Sequence, residues 1–411
     1  MPWKLLVSKW RAGTALLLGL GLAAGGFGSG AAYLLLALLA SEATFPLSNL
    51  TGVAGLAVLG LGLSLLLLWH GLRAWRGEDD LPFRPPRAVV LVLIFVGAAA
   101  AGQGVIAFDL APRILFPPFH VLAGALPPMV LLAFVGHRLG RAVRWREIVT
   151  QMACSILIGG TGAIVLVGLA GVAILFLLAF LVALAPGGLE ILQSLILNLQ
   201  DPVWIQDPNN ILPLIFTPAG IIGILMVVVV TGPLVEELLK PVGVLFIPRR
   251  PGKAAAFLWG LAGASAFALT ESLFNTSISL DIWLPVMVMR VGTSFVHCLA
   301  GGLVGLGWYA LRTARHPWRA AGLYLLAVTL HATWNLVTLG TSALAIGTES
   351  GGEMMAGFVV ILLLGVLGFI LLGCIVALVW LVRWLQADLL DEPHALAEKA
   401  AVDNLPARVR G

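Results

Sequence analysis

Between Thr14 and Ala40 the chain runs 27 residues without a charged side chain, and runs of this kind recur along its length. About 20 consecutive apolar residues are enough for a helix to cross the hydrocarbon core of a bilayer. In that medium every backbone N–H and C=O must pair internally, so only helices and closed barrels span it. A barrel would show segments of about ten residues alternating between apolar and polar, whereas these runs are long and apolar on every side. The expected fold is therefore all-α, a polytopic transmembrane helical bundle. Composition agrees: 60% of the 411 residues are hydrophobic and 11% are charged, against about 25% charged in soluble domains.

Ten spans are expected, at 14–40, 51–70, 88–110, 118–136, 149–185, 212–247, 254–275, 285–311, 320–344 and 355–382. The loops give an independent count, because Lys and Arg collect on the cytoplasmic side. Residues 71–87 and 137–147 carry four Arg each, and "PRRPGK" (248–253) and "RTARHPWR" (312–319) are also basic. Residues 41–50, 186–211, 276–284 and 345–354 hold no Lys or Arg, and 111–117 has Arg113 alone. This alternation places both termini in the cytoplasm. Lys4, Lys9 and Arg11 ahead of an apolar run resemble the start of a signal peptide, but the run is too long for one and reads as the first span. The net charge of +4 is accounted for by these loops and calls for no nucleic acid. Cys154, Cys298 and Cys374 all lie within apolar runs, so free thiols are expected.

Residues 212–247 are too long for one straight span. At 1.5 Å per residue they would reach about 54 Å, against a core of about 30 Å. Pro233 and Pro241 supply a cause for a break, since each lacks an N–H and frees a carbonyl upstream. The same excess length affects 149–185 without an evident break point. Residues 186–211 show apolar spacing suited to a helix lying on the membrane surface. The expected organisation is four accessory spans in 1–147, a transmembrane region 148–384 with its chemistry in 212–344, and a cytoplasmic tail 385–411.

Ionisable side chains inside membrane helices are costly and mark function by default. Here they crowd spans six to nine: Glu236, Glu237, Lys240, Glu271, Arg290, His297 and His331. Counted from the basic ends at 1.5 Å per residue, Glu236 and His331 lie roughly 18 Å deep, His297 roughly 22 Å and Glu271 roughly 27 Å. A carboxylate and two imidazoles thus share a layer. Glu236 and Lys240, four apart, share a helix face and can pair. Glu236 and Glu237 point about 100° apart, so one is expected to face a cavity and the other to be neutralised by Lys240. His331 shares a face with Asn335, and Glu271 with Asn275. Arg290 lies nearer the outer face, where it could snorkel or meet a lipid head group.

A buried carboxylate with two histidines suits hydrolysis, the glutamate as base and a histidine or Asn335 holding the oxyanion. "VEELLK" (235–240), "FALTESLFN" (267–275), "SFVHCLAGG" (294–302) and "LHATWN" (330–335) together resemble the four motifs of the PrsW family of intramembrane proteases. That family belongs to a glutamic-type superfamily with the CAAX prenyl proteases and the Abi proteins. Phe267 to Glu271 reads F-x-x-x-E where the CAAX branch has F-x-x-x-H, which favours the PrsW branch. The resemblance covers about 212–344 and implies Glu236, Glu237, His297 and His331 as catalytic residues. Lys240, Glu271, Asn275, Asn335 and Arg290 would support them. It implies a membrane-anchored protein or peptide substrate and a multi-pass protein of a bacterial plasma membrane. No cofactor is expected; zinc is the alternative, with Glu236, His297 and His331 as its ligands.

Other readings have less behind them. No H-E-x-x-H zinc helix is present. "GASA" (263–266) loosely resembles a rhomboid serine motif at Ser265, but small residues also let helices pack closely. Cys298 adjoins His297, and adjacent residues diverge on a helix. A proton-coupled transporter or lipid-handling protein could use the same buried groups, although carriers usually show two related halves, and here the polar residues crowd one.

Overall fold

A computed structural model describes residues 2–247, 250–275, 282–347 and 353–403. Fifteen α-helices run through them: α1 (Pro2–Leu39), α2 (Leu47–Trp75), α3 (Ala88–Ala107), α4 (Pro112–Leu139), α5 (Trp145–Cys154), α6 (Thr161–Ala183), α7 (Gly188–Asn198), α8 (Pro202–Gln206), α9 (Pro208–Ile215), α10 (Pro218–Ile224), α11 (Gly232–Leu239), α12 (Lys253–Asn275), α13 (Trp283–Arg312), α14 (Pro317–Gly347) and α15 (Glu353–Asp403). Among the described residues the extended structure is one isolated bridge, Pro82 to Arg144. Within these residues ten helical stretches are long and apolar enough to cross a membrane, the number expected.

Two of the ten are broken helices, and they touch. The fifth runs α5, a π-helical turn at Ser155–Gly160, then α6, which supplies the break that the apolar pattern left unassigned. The sixth runs α10, a π-helical stretch at Leu225–Thr231, α11, and a 3-10 turn at Val242–Phe246. It starts at Pro218 rather than 212, because Pro208 and Pro218 each open a new helix. The loop 186–211 is not one surface helix: α7, α8 and the start of α9 divide it, with Asp201 and Asp207 capping the two short ones.

The core is centred on α12. Phe257, Leu258, Trp259, Leu261, Ala262 and Ala264 are all fully buried, as expected of a helix that is apolar all round. α13 and α4 enclose it, whereas α6 buries one residue, Ala163. Small residues set the α12–α13 distance. A Cβ added at Gly260 would collide with the Gly301 carbonyl oxygen, and one at Gly301 would meet the Ala264 methyl. Close approach of this kind replaces the hydrophobic drive that lipid does not supply. Ser265 donates to the Leu261 carbonyl at 2.8 Å and contacts Cys298 Sγ at 3.3 Å, so it is a packing residue of this interface. One buried polar link ties α4, α12 and α13. Trp283 Nε1 donates to His120 Nδ1 at 3.0 Å, which leaves His120 Nε2–H to donate to the Leu273 carbonyl at 3.1 Å.

The basic loops meet on one face. Arg144 and Arg146 bind the 78–80 segment, Trp259 Nε1 reaches Glu147, and Arg312 donates to the Val244 carbonyl. Lys253 pairs with Asp388 of α15 at 2.7 Å. Arg113, the exception among the poorly basic loops, pairs with Glu42 on the other face.

Gly260→Val should destabilise the bundle by about 1–3 kcal/mol or more, the scale of core overpacking, because its nearest neighbours are backbone. Thermal unfolding in detergent checks this. An unchanged midpoint would mean that α12 and α13 are not held at this distance.

Candidate functional site

The backbone of the sixth span explains where its charged side chains point. In the π-helical stretch Gly232 N–H donates five residues back, to the Val227 carbonyl. The next donor would be Pro233, which has no N–H, so the Val228 carbonyl is left open. Asn335 Nδ2 fills it at 3.0 Å. The freed carbonyl is thus Val228, one residue before the position an unbroken α-helix would give. A short helix, α11, then carries Glu236 and Glu237 before Pro241 ends it. Gly263 lies under the Lys240 carbonyl so closely that no Cβ would fit, and Ser155 of the fifth span's π turn donates to the Gly263 carbonyl at 2.7 Å. The two broken helices and α12 together fix the Lys240 backbone.

Lys240 is fully buried, and its ammonium is the hub of the cluster. Nζ lies 2.5 Å from Glu237 Oε1, 2.5 Å from His297 Nδ1 and 3.6 Å from Glu236 Oε2. The Phe267 ring sits 5.0 Å away. Its closest carboxylate is therefore Glu237 at i−3, not Glu236 at i−4. An ammonium only donates, so His297 Nδ1 accepts and its ring proton sits on Nε2. That nitrogen faces Glu271 Oε2 at 2.9 Å. Glu271 is held in turn by Arg290, Nη2 at 3.2 Å, while Arg290 Nε donates to Ser272 Oγ. Arg290 is thus engaged inside the protein rather than at a lipid head group. The offset in depth between Glu271 and His297, about one helical turn, is covered by the reach of the glutamate side chain.

His331 completes the group. Its Nδ1 lies 2.9 Å from Glu237 Oε1, its ring is 4.6 Å from that of His297, and its Nε2 is 3.9 Å from Glu236 Oε2. An ionised Glu237 accepts a hydrogen bond from His331 Nδ1–H, which leaves the Nε2 lone pair toward Glu236. Glu237 is fully buried, whereas the Glu236 side chain keeps 22% exposure. The arrangement brings together Glu236, Glu237, Lys240, Glu271, Arg290, His297 and His331. It sets Asn335 on the Val228 carbonyl, with one amide hydrogen committed there. The side chain of Asn275 lies outside the described residues.

Three further residues shape the site. Tyr324 donates to the Leu234 carbonyl at 2.6 Å. It stands seven residues before His331 and so on the same face, a spacing that could have exposed it. Trp334 donates to Thr293 at 3.1 Å, and its ring covers Gly292, fixing α14 to α13 about one helical turn from the two histidines. Phe267, four residues before Glu271, shields Lys240.

The donor set fits a divalent ion. Ligand atoms of Glu236, His297 and His331 all lie within 4.8 Å of one another. Glu236 Oε2 is buried with no hydrogen-bond partner, and His331 Nε2 turns a lone pair toward it. Glu271 behind His297 and Glu237 behind His331 are carboxylates of the kind that orient metal-binding imidazoles.

Because Asn335 closes a Val228 carbonyl on the outer surface of the bundle, where lipid offers no replacement donor, Asn335→Leu should cost about 1–3 kcal/mol, the scale of an acceptor left without a partner. Hydrogen exchange should rise across residues 225–233. Exchange and unfolding like the parent's would remove this role.

Residues 156–367 match the family described as PrsW family intramembrane metalloprotease. No curated protein matches the chain, and no solved structure does. The match covers more than half of the chain and takes in the whole ionisable cluster, with ten apolar helices around it. The protein is therefore a multi-pass membrane protein that belongs to the PrsW family of intramembrane proteases.

Proposed function

We propose that the chain cuts peptide bonds of membrane-anchored protein or peptide substrates, with Glu236 as the reacting carboxylate and Glu237 as a positioning residue. The observation that carries this division is that Glu236 keeps 22% exposure and meets Lys240 and His331 only at 3.6 and 3.9 Å, set against a fully buried Glu237 that holds both at 2.5 and 2.9 Å. Glu236 accepts the proton of the attacking water and returns it to the leaving amine. Glu237 holds the Nδ1 proton of His331, so that Nε2 is available toward the reacting centre. Glu271, fixed by Arg290, does the same for His297 from its Nε2 side. A metal ion would be held by Glu236 Oε2, His331 Nε2 and His297 Nδ1, leaving the second Glu236 oxygen for proton transfer. Zinc is the ion such nitrogen and carboxylate donors suit, and when bound it would polarise the peptide carbonyl and acidify water.

The family's description as one of metalloproteases supports the metal. The shared face of the basic loops supports a cytoplasmic side carrying both termini and the 385–411 tail, in a bacterial plasma membrane. The spans of 1–147 act as accessory helices to a core in 148–384.

Purified full-length protein with a single-span substrate tests the reading. Glu236→Gln and His331→Ala should each lower cleavage by at least about 100-fold, with Glu236→Gln folding normally. Glu237→Gln should also reduce folded protein, because it leaves Lys240 short of its nearest counter-charge, a loss of about 3–5 kcal/mol. Chelation should stop cleavage and zinc should restore it. Parent-like cleavage by the Glu236 and His331 variants would overturn the assignment. So would proton- or substrate-driven flux in liposomes with no peptide product.

A further inference from the structure

We infer that the Lys240 ammonium is a tethered cation that competes with the metal for its donors, so that the site binds metal more weakly than its ligands alone would allow. The inference rests on the proposed metal set of Glu236, His297 and His331.

Two of those three ligands are in contact with Nζ, at 2.5 Å for His297 Nδ1 and 3.6 Å for Glu236 Oε2. The His297 contact is decisive. With Glu271 facing Nε2 at 2.9 Å, Nδ1 is the nitrogen that carries the lone pair, and the ammonium takes it. An imidazole nitrogen has one lone pair and cannot serve a lysine and a metal together. Lys240 must therefore withdraw from His297 before the third ligand position forms.

Charge works in the same direction. A buried ammonium beside Glu236 repels a second cation more strongly than it would in water, because the surroundings screen little. Geometry favours withdrawal rather than permanent blockage. Lys240 keeps Glu237 Oε1 at 2.5 Å, and Glu237 is not one of the three ligands, so the ammonium can retain its closest counter-charge while releasing Nδ1. His331 Nε2 needs no such release, because Glu237 holds the Nδ1 side of that ring at 2.9 Å, and the longer 3.6 Å contact of Nζ with Glu236 Oε2 loosens in the same movement. The placement makes the complete ligand set conditional on a side-chain movement.

Cobalt(II) and zinc binding to the detergent-solubilised full chain test this without recourse to cleavage. Lys240→Met should bind both ions at least about tenfold more tightly than the parent. Its cobalt absorption should report one more nitrogen ligand at sub-saturating metal. Because Lys240→Met leaves Glu237 buried without its counter-charge, the double variant Glu237→Gln/Lys240→Met, which removes both charges, is measured beside it. Tighter binding in the double variant supports the inference even if the single variant folds poorly. Equal or weaker binding in a folded variant, with the parent binding metal, overturns the inference and leaves the metal reading standing. Binding by neither parent nor variants overturns both.

Discussion

A charge placed where water is scarce has to be neutralised by what surrounds it, and Lys240 sets that requirement for this fold. Its ammonium is fully enclosed, and breaking such an arrangement by removing one partner costs about 3–5 kcal/mol. The ionisable residues of the cluster can be traced outward from it. Glu237 supplies the counter-charge and passes a hydrogen bond on to His331. His297 supplies a lone pair and turns its proton to Glu271, and Glu271 is held by Arg290. Three neighbouring helices are thereby registered against α11 by electrostatics rather than by apolar packing, which discriminates poorly between alternative registers when lipid and side chains are equally oily.

That electrostatic register needs a backbone that can present adjacent residues in different directions over a short distance. α11 has eight residues, bounded by a π-helical stretch on one side and a 3-10 turn opened by Pro241 on the other. Non-α backbone at membrane depth is tolerated where protein satisfies it. α14 provides that satisfaction as a stripe: Tyr324 on the Leu234 carbonyl, His331 on Glu237 and Asn335 on the Val228 carbonyl. The H-x-x-x-N spacing thus joins a residue of the charged cluster to a residue that closes the backbone break beside it.

Much of this was legible in the chain, and the boundary between what was and was not is physical. Span number follows from the length of apolar runs and the positions of Arg and Lys, both of which are local. Membership of the cluster follows from cost, since Glu236, Glu237, Lys240, Glu271, His297 and His331 stand out against an apolar background. Pairing does not follow. Helical spacing made Glu236 the natural partner of Lys240, but the contact with Glu237 depends on a lysine enclosed by Phe267, Gly263 and His297, which come from elsewhere in the chain. Arg290 near a membrane edge looks free to snorkel until Glu271 of the neighbouring helix is in place. The π turn at Ser155–Gly160 has no proline to announce it and shows itself through its contacts, with Ser155 on the Gly263 carbonyl and Gly159 against the Leu239 carbonyl.

Under the proposed function, two adjacent glutamates make sense as a division between holding and reacting. A single buried carboxylate that neutralises Lys240 and orients His331 is already fully committed, and a group so committed is a poor proton acceptor. A single carboxylate left free to react would leave the ammonium unsatisfied and α11 without its register. Because neighbouring residues on a helix point about 100° apart, two glutamates in succession place one carboxylate in the protein interior and the other at the edge of the cluster. The fully buried Glu237 and the partly exposed Glu236 show that separation directly. Lys240, four residues beyond Glu236 and three beyond Glu237, reaches back between them, and its position on the His297 lone pair ties the holding function to the readiness of the reacting one.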